Sequence, residues 1–337
     1  MNEKYRATLK SAETEDWLDL HVIRPFCYYC AVFFAKFDIH PNTVTIWSMI
    51  VGAASAWFFA QGSFVYGDNA HGDTTLVLVY NIIAIVLLMI ADVLDCTDGQ
   101  LARMTGKKSR MGRILDGVAG FTWFTPIYLA LVWRFYHHHD IEFSLLGISD
   151  TEQNVMIATI VVFIIGLISG IHGLAGQQRL ADYYIQAHLY FLKGEKGSEL
   201  DNSAQQQEIY DKMDSSTSWV ERLFQKSYIG YTQKQEGRTP QFQRLLRLLK
   251  TKFGTAEHIP ATVREEFHQN SLPLMPWNGL LTFNFRSAWL FLFCLIDIPV
   301  GNFLFEIICM GLLTSYVNRR HENFCRKIAD KVEHDAA

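Results

Sequence analysis

No Asp, Glu, Lys or Arg occurs between Pro41 and Gly67. Crossing the roughly 30 Å hydrocarbon core of a bilayer takes about 20 apolar residues in a helix. In lipid, backbone polar groups must bond within helices or closed barrels. One such run therefore narrows the chain to few architectures, and others follow it. The pattern predicts transmembrane helices over 41–62, 75–91, 117–133, 154–178, 278–296 and 300–318. The fold class expected is an all-α polytopic membrane protein with six transmembrane helices. Composition agrees: charged residues are 19% of 337, against 50% hydrophobic, where soluble domains carry about a quarter charged. A net charge of −4 gives no bias towards polyanions, so no nucleic-acid partner is expected.

Five regions follow. Residues 1–40 hold a polar, cytosolic N-terminus without a cleavable signal pattern, then an interfacial amphipathic helix. There the stretch Trp17–Lys36 is broken by Asp19, Arg24 and Pro25, and its longest apolar run is too short to span. Residues 41–175 carry the first four spans, and 176–276 form a polar cytoplasmic insert. Residues 277–318 carry the last two spans, and 319–337 a cytosolic tail. Within the insert, Gly230–Gly237 reads as a linker. Gln241–Phe253 reads as a basic amphipathic helix, lying either on anionic lipid or on a small subdomain of its own. Cys27 and Cys30 have no second pair at zinc spacing and read as packing residues.

Between the second and third spans lie Arg103, Lys107, Lys108, Arg110 and Arg113, whereas the loop 63–75 has no Lys or Arg. The positive-inside rule puts the former turn in the cytoplasm, and six spans then put both termini there too. A bacterial cytoplasmic membrane is the expected location.

Beside that turn sits a group of carboxylates. Asp95 and Asp98 are three apart and share a helical face, and Asp116 follows. Hard divalent cations such as Mg²⁺ and Mn²⁺ take oxygen ligands of this type, with substrate phosphates and water completing the shell. Gly99 and Ala102 leave room for a polar ligand at the backbone, and Arg103 adds a forked cation suited to phosphate. Asp92, one turn before Asp95, is placed to support the same cluster. Carboxylates beside apolar spans are expensive unless used.

The spacing resembles the signature of the CDP-alcohol phosphotransferases, Asp-x2-Asp-Gly-x2-Ala-Arg-x8-Gly-x3-Asp-x3-Asp. The chain matches at Asp95, Asp98, Gly99, Ala102, Arg103, Gly112 and Asp116, and departs at the last position, which is Gly120. The resemblance implies that Asp95, Asp98 and Asp116 hold Mg²⁺ or Mn²⁺ on the pyrophosphate of a CDP-alcohol. It implies a nucleotide pocket shaped by Asp95, Gly99, Ala102, Arg103 and Gly112, together with Asn42 and Thr45 of a Pro-Asn-x-x-Thr element. The donor implied is a CDP-alcohol such as CDP-diacylglycerol, the acceptor a polyol or phosphorylated polyol, and CMP leaves.

Gly120 removes the carboxylate that serves as general base in that family. Asp116 and Asp92 are then the candidate catalytic carboxylates. The alternatives are an acceptor that is already anionic, or a protein that binds CDP-lipid without turning it over. A CDP-headgroup phosphotransferase acting on a lipid alcohol is a further reading. Arg110 and the intramembrane Arg286 are candidates for an acceptor or phosphate contact. His172 is a proton acceptor or a packing residue. Gly166 and Gly170 form a GxxxG that permits close helix contact or a homodimer. His137–His139 read as a solvated loop on the side opposite the carboxylates.

Overall fold

A computed structural model describes residues 5, 11–61, 74–107, 109–214 and 217–334. The loop expected at 63–75, without Lys or Arg, lies almost wholly outside them. No strand occurs among the described residues. The helices are α1 Arg24–Lys36, α2 Pro41–Gln61, α3 Thr74–Thr105, α4 Arg110–His137, α5 Asp140–Leu146, α6 Glu152–Ile168, α7 Ala175–Lys193, α8 Ser203–Asp211, α9 Trp219–Arg238, α10 Pro240–Phe253, α11 Ala261–Ser271, α12 Met275–Gly279, α13 Phe283–Leu295, α14 Pro299–Phe305 and α15 Gly311–His334. Two compact units result: Met1–Ala175 with Phe283–Cys309, and Gly176–Thr282 with Met310–Ala337.

By length and composition, five helices can cross a membrane: Pro41–Gln61, Leu76–Thr105, Leu115–His137, Glu152–Lys193 and Pro299–His334. The span expected over 278–296 is α13, a helix of 13 residues. At 1.5 Å per residue it is about 20 Å long, shorter than the hydrocarbon core.

In the first unit, α2, α3, α4, α6, α13 and α14 share a core that includes Phe59, Leu88, Trp123, Phe124, Leu290 and Phe303. Lipid tails are as apolar as these side chains, so close van der Waals fit must hold the helices together. Gly52 of α2 shows this: a Cβ there would lie 2.1 Å from the Trp123 ring. Gly166 presses on the Phe303 ring, where a Cβ would sit at 3.3 Å, and Gly170 lies beside Tyr128. The GxxxG is thus occupied by contacts within the unit.

Local sequence sets the helix ends. Pro41 starts α2, where a missing N–H is harmless. Ser109 caps α4, its Oγ accepting the Gly112 N–H at 2.9 Å. Gly147, with φ of 64°, closes α5 in a left-handed conformation. Helix α1 packs on the signature helix through buried Cys27 and Ala31. It turns Phe26, Tyr29 and Phe33 outward.

The second unit has its own core, in which α7, α10, α11 and α15 meet through Phe191, Phe242, Leu245, Phe267 and Ile328. Helix α10 buries Phe242, Leu245 and Leu249 there, so the subdomain alternative for 241–253 is the one found. Its first backbone N–H groups, at Gln241 and Phe242, donate to the Glu322 carboxylate at 2.7 and 3.3 Å. The linker expected at Gly230–Gly237 is corrected: α9 runs through both glycines. Each glycine weakens a helix by only about 1 kcal/mol, and buried Gln225 anchors α9 to the Gln206 carbonyl of α8 at 2.9 Å.

A further expectation changes. The histidines after α4 are not a solvated loop. His138 and His139 are buried, because His138 pairs with Asp297 and His139 with Asp150 at 3.2 Å. Arg286, a candidate for an acceptor or phosphate contact, has a carboxylate partner within the protein. It is fully buried and paired with Glu306 at 2.7 Å, and Tyr128 and Ser169 donate to the same carboxylate. Ser169 and Glu306 each begin a π-helical turn, Ser169–Leu174 and Glu306–Met310.

Candidate active site

The signature lies on the last three turns of α3 and the first two of α4. Asp95, Asp98, Gly99 and Ala102 occupy one stripe of α3, as residues three and four apart must. Asp98 is buried, and the buried Thr45 hydroxyl of α2 donates to its Oδ2. Asp95 Oδ1 is buried with no hydrogen-bond partner. The charges Asp95 feels most strongly are Asp116 and then Asp98, with Asp92 behind them. Asp116 is exposed at the start of α4. The three signature aspartates therefore converge electrostatically, although they come from two helices.

Gly112 has a local reason. A Cβ there would lie 2.9 Å from Asn42 Oδ1 and 3.1 Å from Ser109 Oγ. A side chain at this position would have to push the Asn42 amide or the Ser109 hydroxyl aside, and that hydroxyl donates to Asn42 Oδ1 at 3.5 Å. Asn42, Thr45 and Gly112 thus belong to the same corner as Asp98. The Arg103 guanidinium lies over Gly99, where a Cβ would meet it in ordinary contact at 3.4 Å. The Arg110 side chain lies outside the described residues. Arg286 pairs with Glu306 rather than with a signature carboxylate, and His172 is exposed.

The start of α1 and the segment before it complete the surroundings, and no motif marks them in advance. Arg24 pairs with Glu15 at 3.0 Å, donates to Cys96 Sγ at 3.4 Å, and accepts at its carbonyl from Gln100 Nε2 at 3.1 Å. It lies beside the signature stripe, on the flank formed by residues 96 and 100. Its only mark in the sequence is a charge inside an apolar stretch. Asn284 of α13 donates to Asp16 at 2.8 Å and to Asp19 at 2.9 Å. Burial pushes the Asp19 carboxyl up to about 6, against the pull of the Asn284 hydrogen bond. Asp92 feels Asp19, Arg24 and Asp16, so it faces this segment as much as the signature.

These donors fit a hard divalent cation. An unpartnered buried carboxylate oxygen in the field of two other carboxylates is a costly arrangement that a cation would relieve. Three ligating side chains within 4.8 Å occur in the second unit at His321, Glu322 and Cys325. There, however, Glu322 caps α10 and His321 is enclosed by Tyr184, Phe242 and Phe324. The signature aspartates do not form so tight a set. Mg²⁺ asks for none, since one or two carboxylates plus phosphate oxygens and water usually hold it.

Residues 38–171 match the sequence profile of the CDP-alcohol phosphatidyltransferase family. Neither a curated protein nor a solved structure gave a match.

Proposed function

From a CDP-alcohol phosphatidyltransferase domain over residues 38–171, we propose a metal-dependent phosphatidyl transfer in lipid synthesis. The donor is a CDP-alcohol, CDP-diacylglycerol in the first instance, and the acceptor is a polyol or phosphorylated polyol. Asp95, Asp98 and Asp116 would hold Mg²⁺ or Mn²⁺. When bound, the ion neutralises charge on the pyrophosphate as the phosphoanhydride breaks. The observation that carries this reading is the buried, unpartnered Asp95 Oδ1, on a carboxylate that feels the charges of Asp116 and Asp98.

The protein's own groups divide the work. Thr45 holds Asp98 in place. Arg103, with Arg24 close by, supplies guanidinium for phosphate oxygens. The acceptor oxygen attacks the phosphorus that bears the alcohol. The bond from that phosphorus to the CMP oxygen breaks, and CMP departs with the electron pair. With no carboxylate at Gly120 and a single ion held, Asp116 doubles as the base that takes the acceptor's proton, being the signature aspartate that is exposed. Asp92 is turned partly to the N-terminal segment and supports the cluster.

The first unit also supports six crossings. Asn284, at the start of α13, bonds Asp16 and Asp19 at the signature end. Asp297, just past its end, bonds Arg134 and His138 at the far end of α4. Helix α13 thus covers the same depth as α4 between those levels, despite its length. The basic turn supports a cytoplasmic position for the signature end.

The test is CMP release by purified protein with Mg²⁺ or Mn²⁺, CDP-diacylglycerol and a panel of acceptors. Asp95→Asn and Asp98→Asn should each abolish release. Full activity in either variant overturns the metal assignment. Gly120 favours a second reading, binding of CDP-lipid without turnover. Retained CDP-lipid binding, with no CMP from any acceptor, would select it.

A further inference from the structure

We infer that the second unit carries a site for the phosphate of an anionic lipid headgroup, on α15 and separate from the signature. A cavity of about 400 Å³ is lined there by Arg320, Asn323, Arg326 and Lys327 of α15, with Asn270 of α11 opposite. That size falls in the range of ordinary ligand pockets, about 300–1,000 Å³. Its polar lining is three cations and two amides, the donor set that phosphate oxygens take.

The charge balance of the cavity differs from that of its surroundings. On adjacent surface, Arg244 is paired with Asp330 and Glu333, at 2.8 and 2.5 Å, and Lys331 is paired with Glu266. Among the described residues, Arg320, Arg326 and Lys327 take no carboxylate. Three cations around one groove repel each other unless an anion joins them.

A second observation selects lipid over a soluble anion. Leu312, Tyr316, Arg320, Asn323 and Lys327 are spaced by three and four, and form one stripe along α15. Leu312 is 69% exposed, and Tyr316 is exposed against the equally exposed Trp277, their rings 5.8 Å apart. An outward face that passes from leucine to a Trp–Tyr pair to arginine marks the step from hydrocarbon to interface. Arg320 lies four residues beyond Tyr316, about 6 Å along the axis. The headgroup layer is of that thickness, since the bilayer grows from about 30 Å to about 40–45 Å when headgroups are included. Arg320 is then at phosphate depth, with Arg326 and Lys327 above it. A headgroup phosphate fits that level, and the acyl chains would run along the Leu312 face.

The site is argued independently of turnover, and so is its test. Full-length protein is placed in lipid nanodiscs of phosphatidylcholine with about 30 mol% phosphatidylglycerol, and the retained lipids are identified by native mass spectrometry. The wild type should retain phosphatidylglycerol selectively. Arg320→Ala and Lys327→Ala should each lower that retention about fivefold. Asn323→Asp, which adds a negative charge at nearly constant size, should lower it as well and guards against an effect of lost bulk. Equal retention of both lipids by the wild type, or unchanged retention in all three variants, overturns the proposal. Displacement of the lipid by about 10 mM inorganic phosphate would make the site one for soluble phosphate and would also overturn it.

Discussion

Thr45 and Asp98 are 53 residues apart in sequence, yet the hydroxyl of one donates to the carboxylate of the other inside the first unit. Hydrogen bonds that orient a ligating side chain typically carry 10–100-fold in metal affinity or activity. Thr45→Val keeps the shape and removes the donor, so it should lower CMP release by about 10–100-fold and raise the Mn²⁺ concentration needed for half-maximal rate. Thr45→Ser should stay near wild type. A Val variant within twofold of wild type would show that the contact is only structural. At this scale the sequence was informative wherever spacing alone places residues on one helix face, as with Asp95, Asp98, Gly99 and Ala102. It was silent where a side chain meets a partner far away in sequence. Arg24 reaches Cys96 and Gln100, and Arg286 reaches Glu306; no local pattern encodes those pairs.

Elements are held in register by one turn in particular, the three residues between α13 and α14. Asp297 has φ of 59° there, a left-handed conformation that aspartate tolerates better than most residues. Its carboxylate accepts from Arg134 and pairs with His138. Burial disfavours the charged imidazole of His138, but the hydrogen bond and charge of Asp297 outweigh it, and its pKa is raised above 6.5. Burial likewise works against the Asp297 anion, yet the His138 hydrogen bond and Arg134 draw its pKa below 3.8. The His138 contribution is therefore complete below the unfolded value of 6.5 and is lost as pH rises through the folded value. That of Asp297 is present above 3.8 and lost as pH falls through its lowered value. The pair should stabilise the fold most between those two unfolded values. Between pH 6 and 8 the Tm of detergent-purified protein should fall by roughly 1–3 °C through this pair. His138→Asn should lower Tm at pH 6 and flatten the slope, and parallel slopes would remove His138 from the account. The long apolar helices were visible in the sequence through their runs, whereas α8, α9 and α11 of the polar insert were not. Helix ends were not visible either: α3 continues past its apolar part to carry the signature, and α9 absorbs two glycines, because packing outweighs the local preference of single residues.

At the scale of the whole molecule, the number of crossings turns on α13. Composition alone gives six runs, whereas length admits five helices and leaves α13 out. The polar contacts within the first unit argue for the sixth. Asn81 of α3 accepts from Arg134 at 2.8 Å, and Asp92 of the same helix feels Asp19 and Asp16, which Asn284 holds. Asn81 to Asp92 is about 17 Å of helix, and Asn284 to Asp297 about 20 Å. The two helices therefore join the same two polar levels. Those levels are closer together than the hydrocarbon is thick, so α13 needs only its short flanks, 280–282 and 296–298, to complete the passage, with some local thinning of the bilayer. Single cysteines at Lys107 and Ile296, in a background with the native cysteines replaced by alanine, test this in oriented membranes. A membrane-impermeant thiol reagent should reach Lys107→Cys only from the signature side and Ile296→Cys only from the other. Labelling of both from one side would mean that α13 turns back within the membrane, leaving the five long helices as the only crossings and the basic turn as the sole guide to orientation.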